Sequence, residues 1–350
     1  MRAFEKNIRK VEPYVPGEQP RRKVIKINTN ENPYPPAPGV KKALSQMDAD
    51  ALRLYPDPTA GDLVHTLAQH YGVDDSNVFV GVGSDDVLAM CFLTFFNSEK
   101  PILFPDITYS FYKVWAELFR IPYECPALDE DFRIVRTDYY KENGGIVFPN
   151  PNAPTALYEE LDFVEDILEH NKDVIVIVDE AYIDFAGKSA LELVSRYDNL
   201  IVVQTFSKAR SMAGMRIGYA IASPVLIKYL NDAKYSFNSY TMNQTSLICG
   251  VEAVKDQEYF EEQVCKIKDT REWVKGKLSE LGFTFPDSQA NFILAKHPNY
   301  AAKDLFEALK KSDIYVRYLS GERIKDYLRI SIGTRQEMEE LIRFLGSYMK

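Results

Sequence analysis

Lys208 is the residue around which candidate chemistry collects. It stands beside Ser207 and follows Leu200-Ile201-Val202-Val203, an apolar, β-branched run that reads as a buried strand. Arg216 comes eight residues after the lysine and leads into a second strand-like run at 217–221. Ser207 and Arg216 are good phosphate ligands, and Gly214 and Gly218 let backbone approach a ligand closely. A lone lysine after a strand is most often a solvated loop residue. Beside an anion site at the mouth of a buried strand, it is instead placed to form a Schiff base.

Three other strand ends carry complementary groups. Val174-Ile175-Val176-Ile177-Val178 is almost wholly apolar and ends in Asp179-Glu180-Ala181-Tyr182. A carboxylate in that position is costly to desolvate unless it meets a cation, although Asp also caps turns. Asn152 follows the strand-like run at 145–148. Gly83-Ser84-Asp85 closes a strand at 78–83 and opens a helix whose first N–H groups can hold a phosphate. Ser84 is equally an ordinary N-cap, and the third glycine of a dinucleotide fingerprint is missing. No G-x-x-x-x-G-K-[ST] run occurs, which removes the usual nucleoside-triphosphate site. An anion cradle, a buried carboxylate and a lysine together fit pyridoxal 5′-phosphate. The carboxylate would keep the ring nitrogen protonated, and the lysine would carry the aldehyde carbon as an imine.

These groups need a frame that brings strand ends together. From about residue 60 the pattern alternates: helices at 61–71, 84–96, 109–119 and 159–170, and strands at 78–83, 102–104, 145–148, 174–178 and 200–203. Such alternation predicts a doubly wound α/β domain with a mostly parallel sheet, ligands binding at the carboxyl ends of its strands. Helical patterns follow at 224–232, 240–254 and 257–281. Short strands at 292–294, 315–317 and 328–331 then mix with helices at 301–311 and 335–348, an α+β pattern. Residues 1–40 read as a proline-rich extended arm, with two specific-looking pieces, Pro13-Tyr14-Val15-Pro16-Gly17 and Asn28-Thr29-Asn30-Glu31-Asn32-Pro33. The asparagines there serve turns as readily as a ligand. The expected division is an arm at 1–29 joining a small domain at 255–350, with the large domain at 30–254.

Bulk properties exclude several classes. The 350 residues carry a net charge of −9, which argues against a nucleic-acid surface. No apolar run approaches the roughly 18 residues that span a bilayer. The start, MRAFEKNIRK, lacks the apolar stretch of a secretory signal, so a cytoplasmic location is expected. Four scattered cysteines and four scattered histidines suggest neither a disulfide frame nor a metal site.

The motifs Asn28-x-Asn30-Glu31-Asn32-Pro33, Tyr55-Pro56-Asp57, Gly83-Ser84-Asp85, Pro151-Asn152-Ala153-Pro154-Thr155, Asp179-Glu180-Ala181-Tyr182, Ser207-Lys208 with Arg216, and Leu328-Arg329-Ile330 carry a resemblance. The chain resembles the fold-type I pyridoxal-phosphate aminotransferases over essentially its full length, and within them the branch acting on histidinol phosphate. The resemblance implies that Lys208 holds the cofactor and shuttles a proton, and that Asp179 pairs with the pyridine nitrogen. It implies that Tyr182 and Asn152 bond the ring hydroxyl oxygen and that Tyr109 stacks on the ring. Ser84, Asp85, Ser207 and Arg216 would gather at the phosphate, with Tyr55 arriving from the partner subunit of a homodimer. Arg329 would grip the amino donor's carboxylate and Arg317 the substrate phosphate, with Tyr14 and Asn30 lining the pocket.

The implied reaction converts histidinol phosphate and 2-oxoglutarate to imidazole acetol phosphate and glutamate. Neighbouring readings are transamination of aromatic amino acids and decarboxylation of threonine phosphate. A non-catalytic regulatory protein on this scaffold should lack the lysine or add a DNA-binding module, and this chain does neither. Two departures stand out: Ala153 where the family often has Asn, which leaves open what meets the ring oxygen, and Asp86 where Glu is common.

Overall fold

The computed structural model describes residues 2–350. After the amino-terminal arm, β1 (Ile25–Lys26) precedes α1 (Pro38–Gln46) and α2 (Gly61–Tyr71). Strands and helices then alternate through β2 (Val78–Gly81), α3 (Ser84–Phe95), β3 (Ile102–Leu103), α4 (Phe111–Phe119) and β4 (Tyr123–Glu124). Next come β5 (Ile146–Pro149), α5 (Leu161–His170), β6 (Val176–Asp179), β7 (Leu200–Thr205) and β8 (Gly218–Ala222). Three helices follow, α6 (Pro224–Phe237), α7 (Gln244–Lys255) and α8 (Gln257–Glu280). The carboxyl-terminal part holds β9 (Phe292–Ala295), α9 (Ala302–Lys311), β10 (Ile314–Tyr315), β11 (Arg317–Tyr318), β12 (Leu328–Ser331) and α10 (Arg335–Tyr348).

Seven strands make one sheet in the order β2-β8-β7-β6-β5-β3-β4, in which only β8 runs against its neighbours. Alternate residues of β7 enter opposite layers. Leu200 and Val202 join the core that includes Leu63 of α2 and Ile167 of α5, while Ile201 and Val203 join Leu88 of α3 and Trp115 of α4. Both faces are covered, so the strand has no polar face and reads as a continuous apolar run. Each such side chain contributes roughly 1.5–3 kcal/mol on burial. Four in a row outweigh the cost of keeping a few polar groups at the strand's end. Because β2, β5, β6 and β7 run the same way, their carboxyl ends share one edge of the sheet, the place where ligands bind in such folds.

A smaller antiparallel sheet, β11-β12-β9, packs with α8, α9 and α10 around Val274, Leu305, Ile330 and Leu341. β1 pairs in parallel with β10, and the Ser331 N–H donates to the Ile27 carbonyl, tying the arm to the carboxyl-terminal part. Three details differ from the sequence expectation. α1 begins inside the stretch expected to be extended, with Pro38 in its first turn where a missing N–H is harmless. The helix expected at 224–232 continues to Phe237. The run at 315–317 is no single strand: at buried Val316 the chain leaves β1 for β12. Among the described residues no helix is long and apolar enough to cross a membrane.

Candidate active site

At the end of β2 the chain turns through Gly83, with φ 83°, into α3. Glycine is demanded there, since a Cβ would sit 2.5 Å from Arg216 Nη2 in a backbone conformation that side chains disfavour. Across from it, a Cβ on Gly218 would lie 2.2 Å from the Ser84 backbone nitrogen. The start of α3, whose first N–H groups have no partner within the helix, is thus pressed against β8 and Arg216. Ser84, Ser207 and Arg216 line one cavity of about 230 Å³. Arg216 is steadied by Ser207 Oγ, Ala213 O and Asp85, each at 3.3 Å. Asp85 also accepts the Tyr109 hydroxyl at 2.7 Å. A carboxylate repels a phosphate, so the Asp85 side chain serves this cradle by holding Arg216 and Tyr109.

Asp179, at the end of β6, is 4 % exposed and lines the same cavity. Burial pushes its carboxyl up to about 6, while the Tyr112 hydroxyl at 2.8 Å and the Ala181 N–H at 3.2 Å hold it down. Lys208 follows β7 on the cavity wall; its Nζ donates to the Thr29 carbonyl at 3.3 Å and lies 5.7 Å from the Tyr182 ring centroid. Tyr109 closes another side. Tyr112 escaped the sequence reading: it reaches Asp179 from the first turn of α4, 67 residues away along the chain, while Tyr109 precedes that helix.

Two asparagines differ from expectation. Asn152 lies outside the cavity lining: Nδ2 donates to Ile107 O at 2.9 Å and Thr155 Oγ1 at 3.0 Å, and Oδ1 accepts the Thr108 hydroxyl at 3.0 Å. With its amide consumed by Thr155 of its own loop and by Ile107 and Thr108 of the loop before α4, it leaves Ala153 to face the ligand space. Asn30 lines neither this cavity nor its neighbour. It is buried behind Tyr182, to whose hydroxyl it donates at 3.0 Å.

A second cavity of about 510 Å³ shares Tyr109 and Ala153 with the first and is lined by Tyr14, Arg317 and Arg329. Tyr14 stacks on Phe111 at 4.4 Å, and Arg317 donates to the Val15 carbonyl at 2.9 Å, so the arm forms part of this wall. Arg329 donates to Asn28 O at 3.0 Å, but its buried Nε has no partner, and burial lowers the guanidinium below its ordinary value. A half-buried guanidinium on the cavity wall, with no carboxylate partner among the described residues, suits an incoming anion. The sequence reading also missed Arg323 on the outer wall. It bridges to Asp106 at 3.1 Å and Asp129 O at 2.6 Å, joining the loop before β12 to the large sheet's loops. Nothing local in the sequence marks that pairing. Tyr55 stands elsewhere, 81 % exposed and stacked on Tyr240 at 4.5 Å.

The first cavity fits pyridoxal phosphate. It offers a glycine-shaped cradle at a helix start for a dianion, a buried carboxylate on its wall, and a primary amine hydrogen-bonded to a carbonyl. The chain belongs to the class I and II aminotransferases, whose family model matches residues 22–345. It is 52 % identical to histidinol-phosphate aminotransferase of Brachyspira hyodysenteriae over 97 % of each chain. It is 50 % identical to the Clostridium botulinum protein of that name, over 97 % of this chain and 96 % of that one. The solved histidinol-phosphate aminotransferase of Sinorhizobium meliloti, in complex with pyridoxal-5′-phosphate, shares the fold with a TM-score of 0.85 at 24 % identity, covering 94 % of this chain and 92 % of that one.

Proposed function

We propose that this chain interconverts histidinol phosphate and 2-oxoglutarate with imidazole acetol phosphate and glutamate, the amino group passing from glutamate to imidazole acetol phosphate in histidine biosynthesis. The observation that carries the reading is that Arg317 and Arg329 line one cavity next to that of Lys208. Both half-reactions bring anions, a phosphate in one and carboxylates in the other. Two rigid guanidinium forks suit both.

Bound pyridoxal phosphate supplies a carbonyl carbon that exchanges amines and a ring that accepts the electron pair left at Cα. The chain's residues do the rest. Ser84, Ser207, Arg216 and the first N–H groups of α3 hold the phosphate; Tyr109 covers a ring face. Asp179 keeps a proton on the ring nitrogen, and Tyr182 donates to the ring oxygen. Lys208 Nζ moves the proton at the substrate Cα. Arg317 takes the substrate phosphate, Arg329 the carboxylate of glutamate, and Tyr14 walls the pocket. The Arg323–Asp106 bridge ties together the two loops that form the outer wall of the pocket.

A homodimer belongs to the same proposal, with Tyr55 entering the partner's cofactor site. Its exposure beside exposed Leu52, Leu54 and Tyr240 supports this. The domain division expected at 254/255 is kept, supported by a distinct core cluster around each sheet, with Tyr182, Phe185 and Ala209 of the large domain packing into that of the small one. The unpaired state of all four cysteines fits a reducing cytoplasm.

Steady-state kinetics decide the reaction. Histidinol phosphate should be turned over with far higher kcat/KM than phenylalanine, without release of carbon dioxide from threonine phosphate. Arg317→Ala should raise KM for histidinol phosphate much more than for glutamate. Equal effects on both would remove its phosphate role, and a preference for phenylalanine would replace the substrate.

A further inference from the structure

Asn30 adopts a backbone conformation few residues tolerate, φ 57°, and is 1 % exposed. Its polar groups are engaged. The N–H donates to Ser331 Oγ at 2.9 Å, and the carbonyl accepts from Asn291 Nδ2 at 3.0 Å. Oδ1 accepts the Ser331 hydroxyl at 2.9 Å, and Nδ2 donates to the Tyr182 hydroxyl oxygen at 3.0 Å.

This ring of bonds fixes which way the amide faces. Ser331 Oγ already accepts from the Asn30 N–H, so its single hydrogen must be donated, and Asn30 Oδ1 is the acceptor beside it. Turning the amide over would set Nδ2 against that hydrogen and leave a buried donor unmatched, which folded proteins avoid. Nδ2 therefore faces Tyr182. An amide nitrogen only donates, so the Tyr182 oxygen accepts there and its own hydrogen is sent elsewhere. Tyr182 lines the cofactor cavity, on the side of Lys208.

We propose that Asn30 is a positioning residue: locked by Ser331, it makes the Tyr182 hydroxyl a one-way donor into the cavity, toward an anionic oxygen of the bound cofactor. The inference rests on the pyridoxal-phosphate reading of the site. A hydroxyl left free could rotate and offer its lone pairs to the ligand instead. The lock sits on β12, two residues beyond Arg329, so the strand that carries the anion-binding arginine also sets the direction of this donor.

A donor aimed at an anionic ligand oxygen weakens the ligand's hold on a neighbouring proton. The pH midpoint at which bound pyridoxal phosphate changes its visible absorption reads that effect. Tyr182→Phe removes the donor and sets the reference, an upward shift. Asn30→Asp keeps the shape and tolerates the backbone conformation, but when ionised it accepts the Tyr182 hydrogen. It should raise the midpoint by about one pH unit, roughly tenfold in proton affinity, with Asn30→Ala moving it the same way. In the Tyr182→Phe background Asn30→Asp should add almost nothing. The dissociation constant for pyridoxal phosphate, measured by equilibrium dialysis, should rise in Asn30→Asp. Should that variant not fold, Ser331→Ala, which frees the amide to turn, should give a smaller upward shift.

Unchanged midpoints in the Asn30 variants would overturn the inference, as would a shift that persists without the Tyr182 hydroxyl, since added charge alone would then explain it. A wild-type protein that takes up no pyridoxal phosphate in dialysis would sink the functional reading itself, a separate result.

Discussion

Asp179→Asn should leave the cofactor-free protein more stable at neutral pH while abolishing transamination. Burial raises the Asp179 carboxyl from its ordinary 3.8 to about 6, so the folded chain holds that proton more tightly than the unfolded one. The stability tied to this group is complete below about pH 4, falls as pH rises, and is lost above about pH 6. The gap corresponds to roughly 3 kcal/mol. Asn cannot ionise and keeps one of the two bonds, from the Tyr112 hydroxyl or the Ala181 N–H, so it escapes the ionisation penalty at the cost of the other bond, roughly 1 kcal/mol at every pH. Urea unfolding of cofactor-free wild type and variant, followed across acid to neutral pH, measures the difference. The variant should gain steadily on wild type up to roughly 3 kcal/mol and then hold level. Saturating pyridoxal phosphate should favour wild type by its tighter binding. A gap that stays constant with pH, or narrows as pH rises, would show that Asp179 is not desolvated as argued. The carboxylate is a case of stability given up at a site for chemistry.

Two further outcomes are expected. Purified wild type should show the visible absorption of imine-bound pyridoxal phosphate, and Lys208→Ala should lose it while its far-UV circular dichroism stays unchanged; a persistent band would assign the imine to another lysine. If Tyr55 serves the partner's site, mixing inactive Lys208→Ala with Tyr55→Ala subunits should restore activity through hybrid dimers, each with one intact site. No gain on mixing, or a monomer in sedimentation equilibrium, would refute the shared site.

Much of the cofactor site is readable along the chain because its members stand at element boundaries. Asp179 and Lys208 each follow a run buried on both faces, and Ser84 opens a helix behind Gly83, so periodicity alone brings them to one sheet edge. The resemblance carried by the motifs then pointed to the cofactor and the reaction class.

The order of strands and helices, and the residue types gathered at their ends, can be read along the chain because burial imprints a local period on it. Which polar side chains remain free for a ligand depends on contacts made in three dimensions. Asn152 and Asn30 look equally available in one dimension, yet Thr108, 44 residues away, consumes the first, and Ser331, 301 residues away, locks the second. Arg323 likewise finds Asp106 only across the fold. A hydrogen bond is satisfied by whatever lies within about 3 Å, and no local pattern records neighbours that folding brings from so far along the chain.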